Sequence, residues 1–389
     1  MKGFKFNGIQ AGIKKHGGKD LGIIFSEKPA SAAAVFTQNR VAAAPVLLGR
    51  DRLQHGICQA VLVNSGNANC CTGKQGIRDA VDSAKQTARL LNIPEEFTLV
   101  SSTGVIGSPM PMDRIEKSLP TLLESMDSDR VRDFAEAILT TDKQVKIEKR
   151  QGEIAGKQFS ITGIAKGSGM IKPDMATMLA FVVTDLNISS ESLDTVLKKA
   201  CVRSFNRISV DGDTSTNDTV LCLANGMSDA VIETDGDLIV FQTVFDDVLF
   251  ELAKKIVRDG EGAKKLARIT VRGAETPEDA FRAAETVATS NLVKTALTGE
   301  DPNWGRILAA AGRSGARVIP EKTDLEIGQV LVLEKGEWTG KAAEIEAASV
   351  MRTSEFEIVL DLNLGECEDF FLFCDLTREY VDINADYRT

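Results

Sequence analysis

Thr177 is the residue whose type and setting point most directly to chemistry. It stands in Lys166-Gly167-Ser168-Gly169-Met170-Ile171-Lys172-Pro173-Asp174-Met175-Ala176-Thr177-Met178-Leu179-Ala180-Phe181. The first half of that stretch is dense in turn formers: Gly167, Ser168, Gly169 and Pro173. Its second half, Met178 to Val183, is an unbroken apolar run that reads as a buried strand entered from a loop. A hydroxyl at the lip of such a strand is an odd choice for a pure core. Cleavage of the chain before Thr177 would make it a new N-terminus, with Oγ as nucleophile and its own α-amino group as base. An α-amino group titrates near pH ~8, so an appreciable fraction is neutral in a cell. The plainer reading, a β-branched residue starting a strand, carries equal weight on this stretch alone.

The scarcity of histidine bears on the base. His16 and His55 are the only two, and neither lies in a motif-like stretch. Nucleophilic catalysis in this chain therefore points to an amine. A strand at Phe97-Thr98-Leu99-Val100 empties into Ser101-Ser102-Thr103-Gly104-Val105-Ile106-Gly107-Ser108-Pro109. The Thr103 hydroxyl and the N–H groups of that turn could stabilise a developing oxyanion. An ordinary strand-to-helix connection is the commoner use of such a turn. Asn64-Ser65-Gly66-Asn67-Ala68-Asn69-Cys70-Cys71-Thr72-Gly73 reads as a hydrogen-bonding loop beside a site, or as a turn before a helix. Cys70 and Cys71, with no histidine near in sequence, read as small buried residues rather than nucleophiles. Glu261, between Gly260 and Gly262 at a helix end, is placed to meet an amine; a solvated acid in a C-cap turn is at least as common. Asp211-Gly212-Asp213-Thr214-Ser215-Thr216-Asn217-Asp218-Thr219 is not a calcium loop, because Cys222 stands where an EF-hand needs its twelfth-position Glu. It reads as a loop packed against the site.

The elements that must position these residues fit a chain of 389 residues with room for two domains. The apolar and charged fractions are ordinary for a water-soluble globular protein. A net charge of −10 without a basic run argues against an extended nucleic-acid surface. No apolar stretch approaches the ~18 residues of a membrane span. The opening Met1 to Phe6 lacks the apolar region of a secretory leader. Seven cysteines, an odd number without a C-x-x-C, fit a reducing cytoplasm better than a disulfide framework or a zinc site.

Strands are expected at Leu21–Phe25, Ala32–Phe36, Pro45–Leu48 and Ala60–Val63. Ile77, Ala80, Val81, Ala84, Ala88 and Leu91 share one helix face, closed before Pro94. A second helix carries Val131, Phe134, Ala135 and Ile138 and closes at Thr140-Thr141-Asp142. Two strands, 146–153 and 158–164, lead into the stretch with Thr177. A helix bearing Leu193 to Ala200 follows, then a long one from about Gln242. Thr276-Pro277-Glu278-Asp279 is a well-formed helix start. Strands are expected near 329–333, 356–362, 370–374 and 380–383. The compositional shift at 273–277 sets the expected domain boundary, giving 1–275 and 276–389.

Taken together these stretches resemble the ornithine acetyltransferase (glutamate N-acetyltransferase) family. The resemblance is carried by Val63-Asn64-Ser65-Gly66-Asn67-Ala68-Asn69, Ser102-Thr103-Gly104-Val105-Ile106-Gly107 and the stretch from Lys166 to Leu179. Asp301-Pro302-Asn303-Trp304-Gly305-Arg306 and the terminal Asn384-Ala385-Asp386-Tyr387-Arg388-Thr389 complete it, in family order over the whole length. Cys70 departs from the usual small residue, and Lys172 and Asp174 vary, but none of these is assigned chemistry.

The resemblance implies an α/β (α+β) fold, a layered αββα sandwich like that of N-terminal-nucleophile hydrolases, with a smaller C-terminal α/β domain whose tail returns to the site. It implies self-cleavage between Ala176 and Thr177, giving an α chain (1–176) and a β chain (177–389) that stay together and pair as an α2β2 heterotetramer. The implied activity belongs to arginine biosynthesis. It is ping-pong transfer of acetyl from N2-acetylornithine to glutamate through an acetyl-Thr177 enzyme. Thr103 and Gly104 hold the oxyanion. Lys166, Glu261, Asn384, Thr389, Thr177 and one of Thr140 and Thr141 line the substrate site. Acetyl-CoA is a second donor the family reading admits. No metal or other cofactor is required, and neither nucleic acid nor membrane is an expected partner. Two other classes compete: a self-processing amidase or aminopeptidase of the same fold, and a non-catalytic binding protein that retains it.

Overall fold

The computed structural model describes residues 1–172 and 178–385. In chain order its first elements are β1 (Phe4–Ile9), β2 (Leu21–Phe36), α1 (Ala44–Arg52), β3 (Ile57–Asn67), α2 (Gly73–Leu91), β4 (Thr98–Val105), α3 (Met112–Glu124) and α4 (Val131–Ala137). Next come β5 (Lys146–Ile154), β6 (Lys157–Lys166), β7 (Leu179–Thr184), α5 (Ser190–Val202), β8 (Ile208–Ser209), β9 (Thr219–Ala224), α6 (Asp235–Arg258) and β10 (Leu266–Ala274). The remainder is α7 (Pro277–Ala288), α8 (Asn291–Thr298), α9 (Trp304–Gly312), β11 (Asp324–Ile327), β12 (Val330–Glu334), β13 (Glu337–Trp338), α10 (Lys341–Met351), β14 (Glu355–Asp361), β15 (Cys367–Cys374) and α11 (Arg378–Ala385). Among the described residues two compact units result, one of Met1–Asn206 with Asp213–Ile256, the other of Arg207–Gly212 with the described chain from Val257 to residue 385.

The first unit is built on one mixed sheet, in the order β4-β3-β2-β9-β7-β6-β5 with β1 paired to β2. The pairs β3–β4 and β7–β9 are parallel. β2 changes partners along its length. Leu21 to Phe25 pair with β1 and β3, and Ser31 to Phe36 pair with β9. Side chains alternate between faces, as strand geometry requires. Leu21, Ile23, Ala60 and Leu62 join a core with Ala80 and Ala84 of α2 and Leu119 of α3. Ile24, Val61 and Val63 join another with Phe134 of α4 and Phe181 of β7. β7 is buried throughout, flanked by β6 and β9, so the unbroken apolar run marks a central strand.

The second unit carries its own sheet, β13-β12-β11-β14-β10-β15-β8. β10 lies in its middle, parallel to β14 and antiparallel to β15. β10 precedes the compositional shift at 273–277, so the boundary drawn at 275/276 falls after this strand. Ile269 and Val271 pack with Phe371, Phe373 and the fully buried Ala280, Ala283, Ala284 and Ala288 of α7. Small residues let that helix lie close on the strands. Thr276 caps it as expected, its Oγ1 accepting from Asp279 N at 3.1 Å. Sheets layered with helices give the mixed α/β sandwich that the resemblance implies.

Two expected strands are helices instead. Pro45–Leu48 opens α1, where a proline in the first turn loses no needed hydrogen bond. Tyr380 to Ile383 lie in α11. A four-residue apolar run has no period by which to tell the two apart. α2 buries Ala80, Ala84 and Ala88 of its expected face, but Ile77 is exposed and Asp79, Ser83 and Thr87 are buried instead, so the face is rotated. The helix ends on Asn92 in the left-handed conformation, φ 55°. Among the described residues no helix is long and apolar enough to cross a membrane.

Candidate active site

The site is assembled from strand ends. β3 and β4 run parallel with Ser65 beside Thr103 and Gly66 beside Gly104. Gly104 adopts φ +128°, and a Cβ there would fall 2.5 Å from the Gly66 carbonyl carbon and 2.7 Å from Asn67 N. Only glycine lets the two backbones close at this point. The amide-rich loop after β3 then locks the strand end, because an amide side chain both donates and accepts. Ser102 Oγ donates to Asn64 Oδ1 at 2.6 Å. Asn64 Nδ2 donates to Asn67 O at 2.8 Å, and Asn67 Nδ2 to Pro109 O at 2.9 Å. Thr103 itself is half-buried, so its hydroxyl can meet a ligand.

Lys166 ends β6 and pairs in register with Leu179 of β7. Its Nζ donates to Thr103 Oγ1 at 3.4 Å. An ammonium is donor only, so the Thr103 hydroxyl proton is directed elsewhere. Lys166 is 7% exposed, and its charge is balanced by Asp142, whose Oδ2 lies 3.9 Å from Nζ. Asp142 has a fully buried carboxylate that also accepts from Lys146 Nζ at 2.7 Å and Gly167 N at 2.6 Å. Burial alone would raise its pKa, but Lys166, Lys146 and the Gly167 N–H together hold the carboxyl well below the usual range. Lys14, which Coulombically feels Asp20, Asp142 and Lys166, is shifted down, chiefly by burial.

Asp142→Asn leaves two buried ammonium groups short of their counter-charge. It is expected to cost about 3–5 kcal/mol of stability by denaturant titration at neutral pH. A depressed folded-state pKa contributes stability that is present above the unfolded value, ~3.9, and is lost as pH falls through the folded value. The gap between wild type and Asp142→Asn should therefore shrink below about pH 4 and be constant near neutrality.

The remaining expected residues divide as follows. Thr141 Oγ1 and Ser168 Oγ share a hydrogen bond of 2.7 Å, whereas Thr140 offers its backbone N–H to Asp142 Oδ2 at 3.1 Å. Thr103, Gly104, Thr141 and Lys166 thus belong to one unit; Lys166 joins Thr103 to Asp142, and Thr141 pairs with Ser168, the residue after Gly167, whose N–H donates to Asp142. Glu261 and Asn384 belong to the other. There Asn384 Nδ2 donates to Glu261 Oε2 at 2.8 Å, and Glu261 is 6% exposed rather than a solvated acid. Ala176, Thr177 and Thr389 lie outside the described residues. Cys70 is buried, with its thiol against Val41 O, as a small core residue would be, whereas Cys71 is exposed and not the buried residue expected. Sequence reading gave no role to Lys14, Asp142, Ser168, Asn217 or Asp218. Of these only Asn217 and Asp218 carried a signal, as members of the loop read as packed against the site. Among the described residues no group of three or more His, Cys, Asp and Glu could hold a metal ion.

With this geometry in hand, comparison with known proteins is informative. A sequence model of the ArgJ family matches residues 5–389. The arginine biosynthesis bifunctional protein ArgJ of Geobacter sulfurreducens is 48% identical over 391 aligned residues, covering all of both chains. Its counterpart in Syntrophotalea carbinolica is 49% identical over 392, covering all of this chain and 99% of that one. Among solved structures, arginine biosynthesis bifunctional protein argJ from Bacillus halodurans superposes with a TM-score of 0.51 at 40% identity. That match covers 53% of this chain and 97% of the other.

Proposed function

Because the chain belongs to the ArgJ family, we propose that it moves the acetyl group of N2-acetylornithine to glutamate through an acetyl-enzyme on Thr177. Acetyl transfer in arginine biosynthesis is the activity of the family, and the residue roles are those the resemblance implies. One observation carries them. Thr103 and Lys166, 63 residues apart, converge to 3.4 Å at the ends of β4 and β6, next to the strand that opens just after Thr177.

In this scheme Thr177 Oγ adds to the acetyl carbonyl while the Thr177 α-amino group takes its proton. The Thr103 hydroxyl, turned away from Lys166, and the Gly104 N–H hold the oxyanion, each donor worth roughly 3 kcal/mol. The proton passes to the departing ornithine nitrogen. Glutamate's amine then attacks the acetyl-Thr177 ester and regenerates the enzyme. Lys166 meets a substrate carboxylate, Thr141 is the member of the threonine pair whose hydroxyl faces the network, and Thr389 lines the same site. Glu261, braced by Asn384, meets the δ-ammonium of ornithine. Two chains from one precursor, 1–176 and 177–389, assemble as α2β2 in the reducing cytoplasm. Acetyl-CoA serves as an additional donor to glutamate.

Acetylornithine supplied with and without glutamate tests the reading: acetylglutamate should accumulate only with glutamate, and release of acetate at the same rate in both would make the protein a hydrolase. Glu261→Gln is expected to raise KM for acetylornithine about tenfold, the worth of one charge-assisted hydrogen bond, and KM for glutamate much less. Equal increases would remove Glu261 from the ammonium.

A further inference from the structure

The loop Thr214–Thr219 reaches three places in the first unit. Thr214 Oγ1 donates to Lys172 O at 3.0 Å, and Thr214 forms a β-bridge with Ile171. Thr219 N donates to Met178 O at 2.9 Å. Asn217 Nδ2 donates to Ser102 O at 2.8 Å and to Ala68 O at 2.6 Å. One short segment therefore grips the chain on both flanks of residues 173–177 and also the strand that presents Thr103 and Gly104.

Asp218 stands inside this clamp. It is 1% exposed, and its carbonyl is pinned by Thr37 N at 2.9 Å. Its Oδ2 is buried without a hydrogen-bond partner among the described residues. Such an atom is costly to keep and calls for a reason. The charge facing it is Lys166, from β6; Ser215, in its own loop, hydrogen-bonds the carboxyl; Asp142 and Lys14 act in turn on Lys166. Burial nevertheless pushes the Asp218 carboxyl well above the ordinary carboxylate range. A carboxylate raised in this direction is a stronger proton acceptor than an ordinary one.

Self-cleavage needs a base that acetyl transfer does not. In the mature enzyme the Thr177 amine serves, but in the precursor that nitrogen is part of an amide and is not basic. His16 and His55 are both exposed. Resting on the reading that the chain cuts itself before Thr177, we propose that Asp218 carries the proton of that step, while Thr214, Thr219 and Asn217 tie Lys172 and Met178, on either side of the scissile bond, to the strand of the oxyanion donors. As Thr177 Oγ adds to the Ala176 carbonyl carbon, its proton moves to the Asp218 carboxylate. As the Ala176 C–N bond breaks, Asp218 returns that proton to the Thr177 nitrogen. An ester joins Ala176 to Thr177 Oγ. Water then splits it, giving the Ala176 carboxyl group and the free Thr177 hydroxyl.

The test follows freshly purified full-length wild type, Asp218→Asn and Asp218→Glu by intact mass over time and pH. Asp218→Asn should cleave about 100-fold more slowly, the scale of general acid–base catalysis. Its melting temperature should match or exceed wild type, since it removes a buried ionisable group. Asp218→Glu should recover part of the rate with a displaced pH profile, an effect a merely structural role would not produce. If Asp218→Asn does not fold, the Asp218→Glu profile decides alone. Cleavage of Asp218→Asn at the wild-type rate, or an undisplaced profile in Asp218→Glu, overturns the proposal. Wild type that never cleaves would instead overturn the reading on which it rests.

Discussion

Thr177→Ala is expected to remain a single polypeptide of full mass and to transfer no acetyl group. The variant leaves untouched β7, whose burial is carried by Leu179 to Thr184. Its melting temperature should therefore stay close to wild type. What it loses is the oxygen that attacks, in the precursor and in the mature enzyme alike. Removing an acyl-enzyme nucleophile costs on the order of 10⁶-fold in kcat, so residual transfer should be undetectable in a routine assay. A variant that is still cut before residue 177 would show that another group directs cleavage.

Gly104→Ala should also be severe, for a different reason. The new Cβ would sit 2.5 Å from the backbone of Gly66, and φ +128° is a conformation that alanine resists. Neither conflict can be relieved by a flexible side chain, so β3 and β4 must separate where they present the oxyanion donors. Stability should fall by about 1–3 kcal/mol. Loss of a correctly aimed donor should lower kcat by about 10²–10³-fold with little change in KM, because the donor is used in the transition state. The two readouts, thermal melting and steady-state kinetics, separate strain from catalysis. A wild-type kcat in a protein that melts early would remove Gly104 from the oxyanion.

How much of this was legible in sequence depends on the range of the interactions. Thr103 and Gly104 were expected in a turn after a strand ending near Val100, whereas β4 runs on to Val105 and holds both; the glycine that lets β3 approach looked locally like the end of the strand. β7 announced itself because an unbroken apolar run needs cover on both sides. The start of α7 was readable from Thr276 to Asp279, for capping is decided within one turn. Pro45–Leu48 was misread because four apolar residues fit a strand or a helix equally, and Tyr380–Ile383 for the same reason. Asp142 could not be found at all. Its partners Lys146, Lys166 and Gly167 are joined to it only when β5 and β6 fold back beside it. The loop of Asn217 and Asp218 was read as packed against the site, but which residues it grips was not legible: its bonds to Ser102, Lys172 and Met178 span up to 115 residues and leave no trace in spacing.

The central claim is that a threonine freed at a chain break carries the acetyl group. Intact-mass spectrometry of the purified wild-type protein, before and after brief exposure to N2-acetylornithine without glutamate, tests it most directly. Two fragments, 1–176 and 177–389, should be seen, and only the second should gain one acetyl group, removable by glutamate. A full-length polypeptide that still moves acetyl from N2-acetylornithine to glutamate would contradict it.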